Sequence, residues 1–138
     1  MDNTANAILI QSIQVAPGLA ILRIAPEGWD LPDFKPGQFA VLGIPGRSPR
    51  CEASEPEAEA ADSDKLIKRA FSIASSPSTK QYLEFYVVLV PTGGLTPRLF
   101  ALSNGDRLWM SPKITGGFTL EDTLADKHVV LISTGTGL

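Results

Sequence analysis

Apolar residues in this chain come in short runs or alternate with polar ones, and proline, glycine and asparagine separate the runs. Residues 7–15 and 19–25 are rich in Ile, Leu and Val, and Ala16-Pro17-Gly18 between them is a turn signal, which predicts a β-hairpin. In the first arm Ala7, Leu9, Gln11, Ile13 and Val15 fall on one face and Ile8, Ile10, Ser12 and Gln14 on the other. The alternation is clearer in the second half, as for a strand with one side half exposed. A punctuated loop follows over 26–34, with Trp29 expected to anchor it on the protein surface. Residues 38–44 predict a third strand. Residues 69–74 predict another, closed by the turn at 75–78. Residues 82–90 are the strongest strand signal in the chain, through their length and their aromatic and β-branched content. Residues 107–110 predict a further strand and 116–120 a short final one.

Three stretches break this pattern. Over 95–102, Thr96 stands at an expected N-cap with Pro97 just inside the first turn, and Asn104-Gly105 supplies a left-handed stop, which predicts a short capped helix. Gly93 and Gly94 precede it, so a ligand can approach the backbone. The amides near Leu95, Thr96 and Arg98 then form an anion site to which Pro97 contributes nothing. Residues 46–68 carry six acidic and four basic residues among Pro, Ser and Ala. Such a composition buries too little apolar surface to offset its ordering entropy and predicts a mobile surface excursion, either a charged docking arm or a solvated insertion. Residues 128–133 form a continuous apolar run, the pattern of a strand covered on both faces, leading into Thr134-Gly135-Thr136-Gly137.

The fold these elements imply is all-β: a six-stranded antiparallel Greek-key barrel with one short helix over residues 1–126. Closure of the barrel would remove exposed edges. Residues 127–138 read as the first strand of a truncated α/β nucleotide-binding domain, since a buried strand before a glycine-rich turn should feed a phosphate-binding helix. The uncovered run at 129–132 is then expected to be disordered or to pair with a second copy of the chain.

Composition narrows the function. The chain has 138 residues, a formal charge of -3 and a sequence pI near 5.1. Lysines and arginines are scattered with no basic stripe, which argues against a nucleic-acid surface. No leader pattern and no apolar run long enough for a membrane span are present, so a cytoplasmic protein is expected. The single Cys51 has no partner for an internal disulfide and no nearby His or second Cys for a metal or nucleophile site, and reads as an incidental thiol.

The candidate chemistry centres on Arg69-Ala70-Phe71-Ser72. Alternation sends Arg69 and Phe71 to one face and Ala70 to the other. One reading is a cradle for a flavin nucleotide, Arg69 gripping phosphate oxygens through its guanidinium fork and Phe71 lying against a conjugated ring. The other is an edge strand with an exposed arginine and a core phenylalanine.

The order of features resembles the ferredoxin-NADP reductase family over nearly the whole chain. Pro36-Gly37-Gln38-Phe39 matches first. Arg69-Ala70-Phe71-Ser72 is similar to the family's Arg-x-Tyr-Ser, Gly94-Leu95-Thr96 stands before the helix, and Ser133-Thr134-Gly135-Thr136-Gly137 resembles the opening of its NADP domain. The resemblance implies a flavin domain built as a six-stranded barrel and an oxidoreductase passing electrons between NADP(H) or NAD(H), FAD and ferredoxin or flavodoxin. It implies that Arg69 and Ala70 line the FAD pyrophosphate and that Phe71 covers the isoalloxazine. Ser72 would lie near flavin N5 as the catalytic hydroxyl, and Tyr86, Val88 and Val90 would border the adenosine half. Gly94, Leu95 and Thr96 would close over the phosphates, and Thr134 would approach the flavin from the tail. Phe71 departs from the family's tyrosine and loses a phenolic hydrogen bond. Without a pyridine-nucleotide domain the chain alone is not expected to transfer hydride. An FAD-binding subunit or reductase component of a larger iron-sulfur oxidoreductase and a non-enzymatic β-barrel binding module remain open alternatives.

Overall fold

A computed structural model describes residues 5–120 and 124–137. Six strands form: β1 Ala7–Ala16, β2 Leu19–Pro26, β3 Phe39–Pro45, β4 Leu66–Ser72, β5 Leu83–Val88 and β6 Arg107–Met110. One helix, α1, spans Thr96–Phe100. All ladders are antiparallel and the strand order is β4-β3-β6-β1-β2-β5. Two hairpins, β1/β2 and β3/β4, are thus stitched together by β6, while β5 adds beyond β2, so neighbours in space come from distant parts of the chain.

Alternation builds the core. Leu22 and Ile24 of β2, Leu42 and Ile44 of β3, Phe85 and Val87 of β5, and Leu108 and Met110 of β6 all turn inward and are buried. Leu95 and Leu99 add the apolar side of α1 to the same cluster. In β1 only Ala7 and Leu9 are buried. The register slips between Leu9 and Gln11, and every residue from Ile10 to Ala16 is exposed, Ile10, Ile13 and Val15 included, so neither face of the outer half reaches the core, where alternation predicts one half-buried side. The β1/β2 turn closes at Gly18 with φ +72°, a left-handed conformation that glycine adopts without strain. Trp29 anchors its loop as expected, donating from Nε1 to the carbonyl of Asn6 at 2.8 Å while packing on the core.

Between the end strands β4 and β5 no ladder forms among the described residues. The amide of Ala74 donates to the carbonyl of Glu84 at 2.7 Å, and Phe71 meets Phe85 edge to face with centroids 6.5 Å apart. The Glu84 amide also donates to Oγ of Ser75 at 3.0 Å, and beyond these contacts no ladder closes the seam among the described residues.

Four expectations change. Residues 116–120 form no strand; only Thr115 bridges Phe39, and Gly116 at φ +133° turns the chain out of register. Helix α1 is capped at Leu95 without a side-chain bond and ends at Phe100, because Thr96 is tied back to β5 instead. Asn104-Gly105 serves the entry to β6, where the Gly105 amide donates to the Leu9 carbonyl at 2.7 Å and the Asn104 Oδ1 accepts from the Ser12 amide at 3.0 Å. Within residues 46–68, Leu66, Ile67 and Lys68 belong to β4, paired with Pro45, Ile44 and Gly43, and the rest is bonded to the core at several points, as described below. Finally, 128–133 form no strand, and Val130, Leu131 and Ile132 are at least 81% exposed. An all-apolar strand is stable only when covered on both faces, and no described residue covers this one.

Candidate functional site

The seam between the end strands opens into a cleft of about 310 Å³. One wall is Arg69, Ala70 and Phe71 of β4; the other is Val90, just beyond β5, and Gly93 to Thr96 before and at the start of α1. Across the β3/β4 ladder Arg69 pairs with Leu42 and Phe71 with Ala40, both core residues, so Arg69 and Phe71 share the inner face as alternation predicts. Arg69 is nonetheless exposed, because at the seam the inner face looks into the cleft. Its Nη1 donates to the Lys68 carbonyl at 2.7 Å, and no carboxylate among the described residues pairs with it. Phe71 is half-buried against the core beside it.

The opposite wall is shaped by its own hydrogen bonds. The Val90 amide donates to Oγ1 of Thr96 at 2.9 Å and the Gly93 amide to the Val90 carbonyl at 2.8 Å, which folds the loop back on the end of β5. The Gly93 carbonyl accepts from Nη1 of Arg50 and the Gly94 carbonyl from Nη1 of Arg98, each at 2.7 Å. In a trans peptide the next N–H points opposite to the carbonyl, and the chain has no cis bond among the described residues. The amides of Gly94 and Leu95 therefore turn away from the two guanidiniums, and no acceptor among the described residues takes them up. A side chain at Gly94 would fill the remaining gap: its Cβ would lie 3.9 Å from Nη2 of Arg69 and 3.4 Å from Ile67. A permanent cation, two free amides and an aromatic ring thus border one space, a donor set suited to phosphate oxygens next to a planar group. The Arg98 amide does not belong to that set, since it donates to the Leu95 carbonyl at 2.9 Å.

Arg98 itself is 3% exposed, an unusual site for a guanidinium. It is held by a forked pair with Glu57, Nη2 to Oε1 at 2.8 Å and Nη1 to Oε2 at 3.3 Å, and by the carbonyls of Gly46 and Ser48. The Arg98 hydrogen bonds hold the Glu57 carboxyl below the usual glutamate range; burial opposes this, while the charges of Arg98 and Arg50 add to it. Arg50 lies 3.6 Å from the same carboxylate and also donates to the carbonyls of Glu55 and Pro91.

The structure thus brings together Arg69, Ala70, Phe71, Val90, Gly94, Leu95 and Thr96 of the predicted residues. Ser72 lies on the outer face of β4 opposite Phe39 and is not among the cleft residues. Tyr86 alternates with the buried Phe85 and Val87 on β5 and faces outward, lining a second depression with Ile21, Ala74, Glu84 and Thr136. Val88, 48% exposed at the end of β5, and Thr134, exposed in the tail, line neither space. Sequence reasoning placed Gly93 beside the site, as found, but missed Thr136 and the Arg50, Glu57 and Arg98 group. One signal pointed to the last of these: Leu95, Arg98 and Leu99 share a helical face, so Arg98 had to be buried with a carboxylate, and the acidic insertion is the nearby source.

No family model matches the chain. Among curated proteins it is similar to the ferredoxin-NADP reductase of Pseudomonas aeruginosa, 41% identical over 107 residues, covering 76% of this chain and 34% of that protein. It is also similar to the flavodoxin/ferredoxin-NADP reductase of Buchnera aphidicola, 34% identical over 105 residues, covering 76% and 36%. The chain therefore spans about a third of the length of these relatives. A ferredoxin NADP+ reductase from Neisseria gonorrhoeae, solved with bound FAD and NADP, shares the fold with a TM-score of 0.58 at 24% identity, over 83% of this chain and 38% of that one.

Proposed function

We propose that this chain, which over its aligned residues belongs to the ferredoxin-NADP reductase family, is the FAD-binding part of an oxidoreductase that passes electrons between NAD(P)H and ferredoxin or flavodoxin. The observation that carries the reading is the cleft at the seam, where Arg69 faces the unpartnered amides of Gly94 and Leu95 with Phe71 alongside. These residues fit the group. A pyrophosphate needs a cation and N–H donors, and the bare α-carbon of Gly94 leaves room for it.

FAD, when bound, supplies the hydride and single-electron chemistry, and the protein supplies position and electrostatics. Arg69 grips phosphate oxygens with the side of its fork not used by the Lys68 carbonyl. Phe71 offers its ring to the isoalloxazine, and its edge contact with Phe85 fixes the ring plane. Ser72, which the resemblance would put near the flavin N5, lies on the outer face of β4 and does not border the cleft. Val90 would border the adenosine half, whereas Tyr86, Val88 and Thr134, which the resemblance would add to the site, lie outside the cleft. We assign residues 127–138 to the opening of an NADP-binding domain. The nicotinamide site, and with it hydride transfer, is assigned to the portion of the relatives that this chain does not span. The described residues include no helix long and apolar enough to cross a membrane, and the free thiol of Cys51 suits a reducing cytoplasm.

A visible absorption spectrum of the purified chain, followed by titration with FAD, tests the reading. Flavin bands, or uptake of added FAD with the bands shifted, are expected. A colourless chain that takes up no FAD would overturn it and leave a binding module without flavin.

A further inference from the structure

The insertion over 46–65 does not serve only to cover surface. Its Glu57 carboxylate lies between two guanidiniums, and each of these carries a carbonyl of the same two-glycine loop: Arg50 the Gly93 carbonyl and Arg98 the Gly94 carbonyl, both at 2.7 Å. The insertion is also tied to the loop by its backbone, with the Glu55 amide donating to the Pro91 carbonyl and the Cys51 amide to the Pro97 carbonyl, each at 2.9 Å. Glycines are the residues least able to hold a peptide orientation unaided, since they give up the most conformational freedom on ordering. Two charge-assisted bonds on consecutive carbonyls set that orientation from outside.

The arrangement is not what stability alone would select. Nε of Arg50 is buried with no partner among the described residues, and an unmet buried donor is destabilising. What the arrangement achieves is directional. With both carbonyls drawn back, the amides of Gly94 and Leu95 turn away from Arg50 and Arg98 and are left free for an acceptor in the cleft they line with Arg69.

We infer that Glu57, through Arg50 and Arg98, is a positioning residue for the anion-binding loop: it holds the Gly94 and Leu95 amides in the orientation that receives the phosphates of a dinucleotide. The inference rests on the FAD reading above. Glu57 touches no ligand and acts only through the two arginines.

The test uses the full chain, with Glu57→Gln and Arg50→Lys as variants. Arg50→Lys leaves the Glu57–Arg98 pair in place, so at least one variant retains the anchor of the insertion. FAD and ADP carry the pyrophosphate and adenosine lacks it. Both variants are expected to bind FAD and ADP about tenfold more weakly, about 1.4 kcal/mol. Adenosine, followed at millimolar concentration by NMR, should bind as in the parent, and the phosphorus resonances of bound ADP should shift. Folded variants that keep the parent's FAD and ADP affinities would overturn the inference while leaving the flavin reading intact. An equal loss for adenosine would also overturn it, as general damage to the cleft. A parent chain that binds neither FAD nor ADP removes both readings together.

Discussion

Arg69 is set apart from the other arginines of the site by what it lacks. Arg50 and Arg98 share the carboxylate of Glu57, whereas Arg69 has a single bond to a neighbouring carbonyl and looks into a cleft. A guanidinium kept unpaired at a seam is available to an anion. Arg69→Ala is expected to weaken FAD binding by about 2 kcal/mol through loss of a charge-assisted contact, measured by titration, with little change in melting temperature. Gly94→Ala separates space from charge. The added Cβ meets nothing closer than 3.4 Å, so stability should stay within about 0.5 kcal/mol, yet it intrudes on the gap beside Arg69 and should lower FAD affinity. Phe71→Tyr restores the hydroxyl that the family resemblance leads one to expect. A gain of about 1 kcal/mol in flavin affinity would show that the hydroxyl finds a partner in the bound state.

At the scale of elements, the insertion is the segment whose character changed most between pattern and structure. Its composition predicts mobility, but Glu57 and Arg50 tie it to the loop before α1 and Arg98 reaches it from within α1. This gives it a pH signature. The Glu57 carboxyl is held low by Arg98, so its contribution to stability is fully present above the ordinary glutamate value of about 4.3 and is lost as pH falls through the lowered one. Thermal melts between about pH 6 and pH 3 should therefore fall more steeply for the parent than for Glu57→Gln, the two curves converging at the acid end. Parallel curves would mean that the pair contributes nothing to folding. Helix α1 shows the same dependence on context: its start is set by Thr96 bonding back to Val90, where its sequence suggested a conventional cap.

The molecule as a whole combines a buried core with exposed apolar residues, the most exposed of them near its C-terminal end. Val130, Leu131 and Ile132 stand in solvent beyond the last strand, and Phe118 and Leu120 are exposed before it. A patch of this kind favours association. Light scattering is expected to give a mass above that of one chain at high concentration, and Leu131→Lys with Ile132→Lys should return it to the monomer. A monomeric parent at all concentrations would count against this. The open seam between β4 and β5 belongs to the same scale. A sheet whose end strands form no ladder among the described residues, and are joined by Phe71–Phe85 and by the Glu84 bonds to Ala74 and Ser75, keeps its binding residues at an edge, where a ligand can lie along the opening.

The positions of five of the six paired strands, the tight turn at Gly18 and the shared face of Arg69 and Phe71 were determined by the sequence, because alternation, turn chemistry and side-chain direction are local properties of the backbone, whereas β4 starts at Leu66, inside the segment whose composition predicts mobility. The motifs around Arg69 and Gly94 were legible for the same reason. Tertiary structure decided which of these segments meet: that Arg69 and Gly94 face each other across a seam, that Ser72 and Tyr86 point elsewhere, and that Glu57 lies between two arginines from distant segments. Those outcomes depend on strand order and on the pairing of buried charges across some 40 positions of chain, the 41 that separate Glu57 from Arg98. The helical face shared by Leu95, Arg98 and Leu99 marks Arg98 for burial, but no local pattern names its carboxylate; a buried guanidinium pairs with whichever one the fold brings.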